Sequence, residues 1–239
     1  MVMISIVIPA KNEGANLLSL FEEIETALTG RLFEVIVIDD GSTDDTAQIV
    51  QKQKQVRSFP LRHFHHEHSS GKSLALRTGV FAARGELIAT LDGDGQNDPV
   101  FVLELVDALL SAGPEVAIAA GQRTNRHHTW MKNLASRFAN RLRKSILDDD
   151  TRDSACGLKV IRTDVFRKLP FFEGCHRFLP ALVIQERFRA IHVDVVDRPR
   201  VHGKSHYGIV DRGLRGALDL FGVWWLRRRR KNMPSPKEM

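Results

Sequence analysis

The chain has 239 residues, 43% of them hydrophobic, which supplies apolar material for one substantial core and excludes a disordered chain. A formal net charge of +6 and a pI near 9.6 point to an acidic partner, whether a phosphorylated substrate, a membrane surface or a nucleic acid, and charge alone does not choose among them. The only cysteines, Cys156 and Cys175, are too few for a disulfide framework, which fits a reducing compartment.

In chain order, short β-branched runs alternate with stretches of helical periodicity. Strands are expected at 3–8 (MISIVI), 33–38 (FEVIVI), 60–64, 86–91 (ELIATL) and 116–120, and helices near 13–29, 43–56, 72–83, 98–111 and 128–147. This alternation implies an α/β fold whose mostly parallel central sheet carries helices on both faces. The first strand starts almost at once, without the basic start, long apolar core and cleavage site of a secretory signal. The most apolar late segment, ALDLFGVWWL, is interrupted by Asp219 and falls short of the roughly 18 to 20 residues that a membrane-spanning helix needs. Val210, Leu214, Ala217, Leu218, Phe221 and Trp225 fall on one helical face, opposite Asp211, Arg215 and Asp219, and RRRRK follows. The pattern suits a helix lying in a membrane interface, with its tryptophans at headgroup depth and its basic cluster on anionic lipid. Packing of the stripe against the domain itself is the competing reading.

Ligands of parallel sheets sit outside the carboxyl ends of the strands. Three such ends are polar here: Pro9-Ala10-Lys11-Asn12-Glu13, Asp39-Asp40-Gly41-Ser42 and Asp92-Gly93-Asp94. Ser42 or Thr43, with Asp45 in the first turn, can cap one following helix, and Asp98 before Pro99 can cap another. The adjacent acids Asp39 and Asp40 exceed what capping needs. In Asp92-Gly93-Asp94 the glycine lets the backbone bend, so that two carboxylates one residue apart can face the same hard cation, which would neutralise a diphosphate leaving group. His63, His65, His66 and His68 lack a second ligand cluster for zinc and read as a polar surface loop.

Taken together, these residues resemble the family 2 glycosyltransferases, and within them the dolichyl-phosphate and polyprenyl-phosphate sugar synthases. The resemblance runs through SIVIPAKNE, FEVIVIDDGSTDDT, SGKSLALRTGVFAARGELIATLDGDGQNDP, GQR, DSACGLKVIRTDVF and RPRVHGKSHYG, over about residues 4–208. It implies a single nucleotide-sugar-binding domain of the GT-A type over 1–208, then a basic, amphipathic, membrane-associating helix over 209–232 and a disordered tail over 233–239. By resemblance Pro9, Lys11 and Glu13 line the nucleotide pocket, Asp40 contacts the base or ribose, and Lys72 belongs to the donor side. Lys11 stands where the family commonly has tyrosine. Asp92, Asp94 and Gln96 match the family's metal and diphosphate motif, for Mg2+ or Mn2+, and Asp153 would orient the donor sugar or an arginine. Arg123, Arg137 and Arg200 occupy the places where lipid-phosphate members hold the acceptor phosphate, and Lys204 adds a point charge there. These three arginines and Asp94 form the expected catalytic set. Arg126, Arg141 and Arg143 read as exposed helix residues.

The implied activity is inverting, metal-dependent transfer of a sugar from a nucleoside-diphosphate sugar to a polyprenyl phosphate. A phosphate monoester is already anionic at neutral pH, so its attack on the anomeric carbon needs alignment and charge control and no catalytic base. The expected setting is peripheral, on the cytoplasmic face of the membrane, with room for a separate integral membrane protein as partner and no role for nucleic acid. One rival is a family 2 transferase that acts on a saccharide or protein hydroxyl, which would need a carboxylate base. Another is a non-catalytic membrane or nucleic-acid binding module, for which acids gathered at three strand ends are a poor fit.

Overall fold

A computed structural model of the chain describes residues 2–124, 146–147, 149–199 and 209–229, with the backbone alone at 209–215 and 217. The elements in order are β1 (Ile4–Ala10), α1 (Gly14–Ala27), β2 (Phe33–Asp39), α2 (Thr46–Val56), β3 (Leu61–His65), α3 (Lys72–Ala82), β4 (Leu87–Thr90), α4 (Val100–Ser111), β5 (Val116–Arg123), β6 (Lys159–Arg162), α5 (Thr163–Lys168), α6 (Leu179–Gln185), β7 (Arg189–Val195) and α7 (Ile209–Arg229). The strands form one seven-stranded sheet in the order β3-β2-β1-β4-β6-β5-β7. β6 runs antiparallel to both of its neighbours, and every other pairing is parallel.

Alternation along β1 builds both faces of the core. Ile4, Ile6 and Ile8 pack with Leu17, Leu20 and Phe21 of α1 and with Leu105 and Leu109 of α4. Val7 points the other way and packs with Ile36, Ile38 and Ile88 under Ala75, Leu76 and Val80 of α3. The second contact is close, because a Cβ added at Gly79 would lie 2.3 Å from Cγ1 of Val7.

Several expectations need correction. α2 starts at Thr46 with Asp45 at its N-cap position, so neither Ser42 nor Thr43 caps it. The Ser42 amide instead donates to Oδ1 of Asp39 (2.9 Å), and its hydroxyl accepts from the Asn12 amide (2.9 Å). His63 and His65 belong to β3 and its pairing with β2, not to a surface loop. β6, α5, α6 and β7 were not expected. Apart from Ile146 and Leu147, the helix expected at 128–147 lies outside the described residues, as do Arg126, Arg137, Arg141, Arg143, Arg200, Lys204 and the tail from 230.

α7 has two apolar sides. Val223 is fully buried with Leu147, Cys175, Phe178, Ala181 and Leu182, and Leu220 and Leu226 pack against this cluster. Leu218, Phe221 and Trp225 of the expected stripe are exposed, by 65%, 62% and 49%. Asp219, expected on the outer polar face, lies instead near Arg177, with 4.0 Å between their charged atoms.

Candidate active site

Because six strands run the same way, their carboxyl ends meet at one edge, and antiparallel β6 begins there, with Lys159 opposite Thr90 and Ala120. The loops after β1 and β2 are tied together first. Asn12 adopts a left-handed conformation (φ 56°), and its Oδ1 accepts from the Thr43 amide at 2.8 Å. Glu13 accepts from the Asn16 side chain at 2.7 Å. Pro9 is half-buried beside these groups and Lys11 is exposed.

Both acids at the end of β2 are engaged within the protein. Asp39 accepts from the Ser42 amide and pairs with His65 at 3.0 Å. Asp40 takes four donors: the amides of Ser70 and Gly71, the Ser69 hydroxyl and Nδ1 of His66, all at 2.8 to 2.9 Å. Burial pushes both carboxyls up, but these hydrogen bonds win and hold both below the usual aspartate range. Asp40 thereby fixes the turn that leads into α3. His63 is held below the ordinary histidine value, chiefly by burial.

At the end of β4, Asp92 pairs with Lys72 from the first position of α3. Burial works against the Asp92 charge, yet Lys72, Lys159 and Arg123 together keep its carboxyl below the usual range. Its seat is the backbone of Gly157, where a Cβ would lie 2.5 Å from Oδ2 of Asp92, so any side chain there would displace the carboxylate. Asp94 is 8% exposed, and its Oδ1 accepts from the Gln96 amide at 3.1 Å. The Gln96 side chain donates to the Arg198 carbonyl at 3.5 Å. Asp92, Asp94 and Gln96 offer two carboxylates and an amide oxygen within five residues, the hard donors suited to Mg2+ or Mn2+, which bind through one or two carboxylates and complete their shell with water and substrate phosphate. Among the described residues no cluster of three or more His, Cys, Asp or Glu offers an all-protein cage.

Arg123 at the end of β5 is held in a fork by Asp153 (Nε to Oδ2 2.5 Å, Nη2 to Oδ1 3.0 Å), and its Nη1 donates to Asp197 at 3.0 Å. Burial disfavours its charge, but the two carboxylates outweigh that and raise its pKa. Asp153 therefore orients an arginine. Asp197 in turn accepts from Asn97 at 3.0 Å, and Oδ1 of Asn97 accepts from the Asp92 amide at 3.4 Å. A continuous polar chain thus joins Asp153 to Asp92. The structure brings Asp92, Asp94, Lys72, Asp153 and Arg123 to one edge; Arg137, Arg200 and Lys204 lie outside the described residues. Asn97, Asp197 and Lys159 were missed by sequence reasoning. Lys159 lies within the motif DSACGLKVIRTDVF and could have been found there, whereas Asp197 follows an ordinary strand without any signal of its own.

The model of Glycosyl transferase family 2 matches residues 5–170. The chain belongs to this family. Dodecaprenyl-phosphate galacturonate synthase of Rhizobium johnstonii is 33% identical over 230 residues, covering 94% of this chain and 67% of that protein. Undecaprenyl-phosphate 4-deoxy-4-formamido-L-arabinose transferase of Aeromonas hydrophila is 29% identical over 210 residues, covering 87% of this chain and 64% of that protein. The chain thus spans about two-thirds of the length of these relatives. Glucosyl-3-phosphoglycerate synthase from Mycobacterium tuberculosis, solved with Mn2+, UDP-glucose and phosphoglyceric acid, superposes with a TM-score of 0.71 at 21% identity, covering 95% of this chain and 79% of that one. The same enzyme with Mg2+ and UDP gives 0.68 at 18% identity, with the same coverage. This family 2 glycosyltransferase therefore has the GT-A-type α/β fold of those enzymes.

Proposed function

We propose that the protein transfers a sugar, with inversion, from a nucleoside-diphosphate sugar to a polyprenyl phosphate at a membrane surface. The observation that carries this reading is electrostatic. Among Asp39, Asp40 and Asp92 at the strand ends and Asp153 in the loop before β6, every carboxylate is bonded to a cation, a histidine or backbone amides, and each one with a resolved shift is held down. Such acids are poor general bases, as suits an acceptor that arrives already ionised.

In this reading Asp92, Asp94 and Gln96 would hold a divalent cation, whose chemistry there is to offset the charge of the departing diphosphate. Lys72, next to Asp92, donates to a diphosphate oxygen. An oxygen of the lipid phosphate attacks the anomeric carbon as the bond to the nucleoside diphosphate breaks on the opposite side. Arg123, held in place by Asp153 and Asp197, presents its guanidinium to the acceptor side; Arg137, Arg200 and Lys204, assigned to that side by the resemblance alone, lie outside the described residues. The relatives named for polyprenyl phosphates support this acceptor class. The exposed Leu218, Phe221 and Trp225 of α7 support a membrane contact, with Arg228 and Arg229 exposed at its end. No helix among the described residues is long and apolar enough to cross a membrane.

One observation favours a hydroxyl acceptor instead. The Glu173 carboxyl is raised by its own partial burial and by Asp219 and Asp40, and it lies against Gly71 beside Lys72. A single experiment separates the two readings: purified enzyme with Mn2+, a panel of radiolabelled nucleotide sugars and undecaprenyl phosphate, followed by organic extraction. Organic-phase label from one donor, lost in Asp94→Asn by orders of magnitude and retained in Glu173→Gln, is the expected result. Label transferred only to a saccharide, and abolished by Glu173→Gln, would replace the phosphate-acceptor reading.

A further inference from the structure

A lysine that nothing above assigns lies beneath the candidate site. Lys159 opens β6, the strand that reverses the sheet, and only 3% of its surface is exposed. Its ammonium donates to the Cys156 carbonyl. That bond closes the turn 156–159, which two further bonds pin to the sheet: the Thr90 hydroxyl donates to the Gly157 carbonyl at 2.6 Å, and the Gly121 amide donates to the Leu158 carbonyl at 3.0 Å. Gly157, within this turn, is the seat of the Asp92 carboxylate. Lysine is costly to bury, and an apolar residue of its length would fill the same space. Burial above all, and Lys72 from α3, lower its pKa to about 8, while the carboxylates of Asp92 and Asp153 favour its charge.

We propose that Lys159 is a positioning residue for the donor diphosphate: its buried ammonium, held by the Cys156 carbonyl within the turn on which Asp92 rests, places a positive charge in the floor of the site. The proposal rests on the reading that this edge binds a nucleoside-diphosphate sugar. Two cations then face the diphosphate from the protein, Lys72 by contact and Lys159 through the low-dielectric floor, where charge acts over a longer range than in water. The same charge opposes a divalent cation at Asp92. This opposition gives Lys159 a signature that packing alone does not produce.

The test uses the full chain and two probes that need no knowledge of the base or sugar, Mn2+ alone and inorganic pyrophosphate in the presence of Mn2+, each titrated calorimetrically alongside thermal unfolding. Lys159→Met should bind Mn2+ as tightly as the parent or more tightly, while its pyrophosphate affinity falls about tenfold. Lys159→Arg should restore pyrophosphate affinity. Lys159→Gln keeps a donor for the Cys156 carbonyl without the charge and should behave like the methionine variant. Mn2+ and pyrophosphate affinities that fall together with the melting temperature would assign Lys159 to stability and overturn the proposal. So would neutral variants that fail to fold beside a folded Lys159→Arg, or unchanged pyrophosphate binding by Lys159→Met. Absence of pyrophosphate binding by the parent protein would overturn the donor-site reading itself, an outcome separate from all of these.

Discussion

Asp40 illustrates how a single carboxylate can organise a site edge without facing outward. Its four donors come from the short segment His66 to Gly71, so the charge of one residue at the end of β2 sets the path by which the chain enters α3 and delivers Lys72. Asp40→Asn would turn an amide nitrogen toward donors and leave at least one of them unsatisfied, at a cost of about 1–3 kcal/mol. Because the folded-state pKa of Asp40 is lowered, its contribution is complete above the ordinary aspartate value and is lost as pH falls through that value toward the folded one. Urea unfolding of parent and variant at pH 7 should therefore differ by that amount, and the gap should shrink toward pH 3. A gap independent of pH would mean that the charge is not its source. In the sequence, the pair Asp39-Asp40 signalled excess acidity at a strand end. The partners of Asp40 were not legible, because the donors lie about 30 residues away and three of them are backbone amides or a histidine that looked like loop.

Among the elements, legibility followed length and purity of pattern. β1, β2 and β4 are buried on both faces, so their apolar runs announce strands, and the polar residues that follow them mark the functional edge. β6 spans only four residues, KVIR, and its first is a buried lysine whose charge is favoured by Asp92 and Asp153 from two other segments. β7 pairs at the edge, where Arg189 and Asp194 are exposed, and its mixed composition lacks a clean period of two. α3 was expected almost to the residue, but not the reason for its glycine. At Gly79 helix and sheet approach so closely that an alanine Cβ would strike the side chain of Val7. Alanine gains up to about 1 kcal/mol in helix propensity, while overpacking of a closed core costs about 1–3 kcal/mol. Gly79→Ala should thus be destabilising in denaturant titration, with the loss relieved by Val7→Ala in the double variant. A more stable single variant would show that α3 can shift away from β1 at little cost.

For the molecule as a whole, the question is what α7 does for the rest of the chain. Its sequence offered two readings of one stripe, membrane contact or packing on the domain, and the helix is apolar enough to serve both on different sides. Val223 closes the cluster around Leu182 and Phe178, and Arg227 donates to the Leu147 carbonyl, so removal of the whole helix would uncover core. Point changes separate the two roles. Replacing Leu218, Phe221 and Trp225 together with serine alters side chains that are at least 49% exposed, and each such change typically moves stability by no more than about 0.5 kcal/mol. If this face enters a membrane interface, the triple variant should keep its melting temperature and pyrophosphate binding but lose sedimentation with vesicles containing anionic lipid, to which each nearby basic residue contributes about 1 kcal/mol. Arg228 and Arg229, which lie over the rings of Trp224 and Trp225 at 4.8 and 5.5 Å, place charge next to the apolar face, so vesicle binding by the parent should weaken as salt rises. Val223→Asp makes the reciprocal change: a buried charge without a partner should lower the melting temperature while the outward face stays intact. Full vesicle binding by a folded triple variant would remove the membrane role from α7 and leave it as a packing element of the transferase domain.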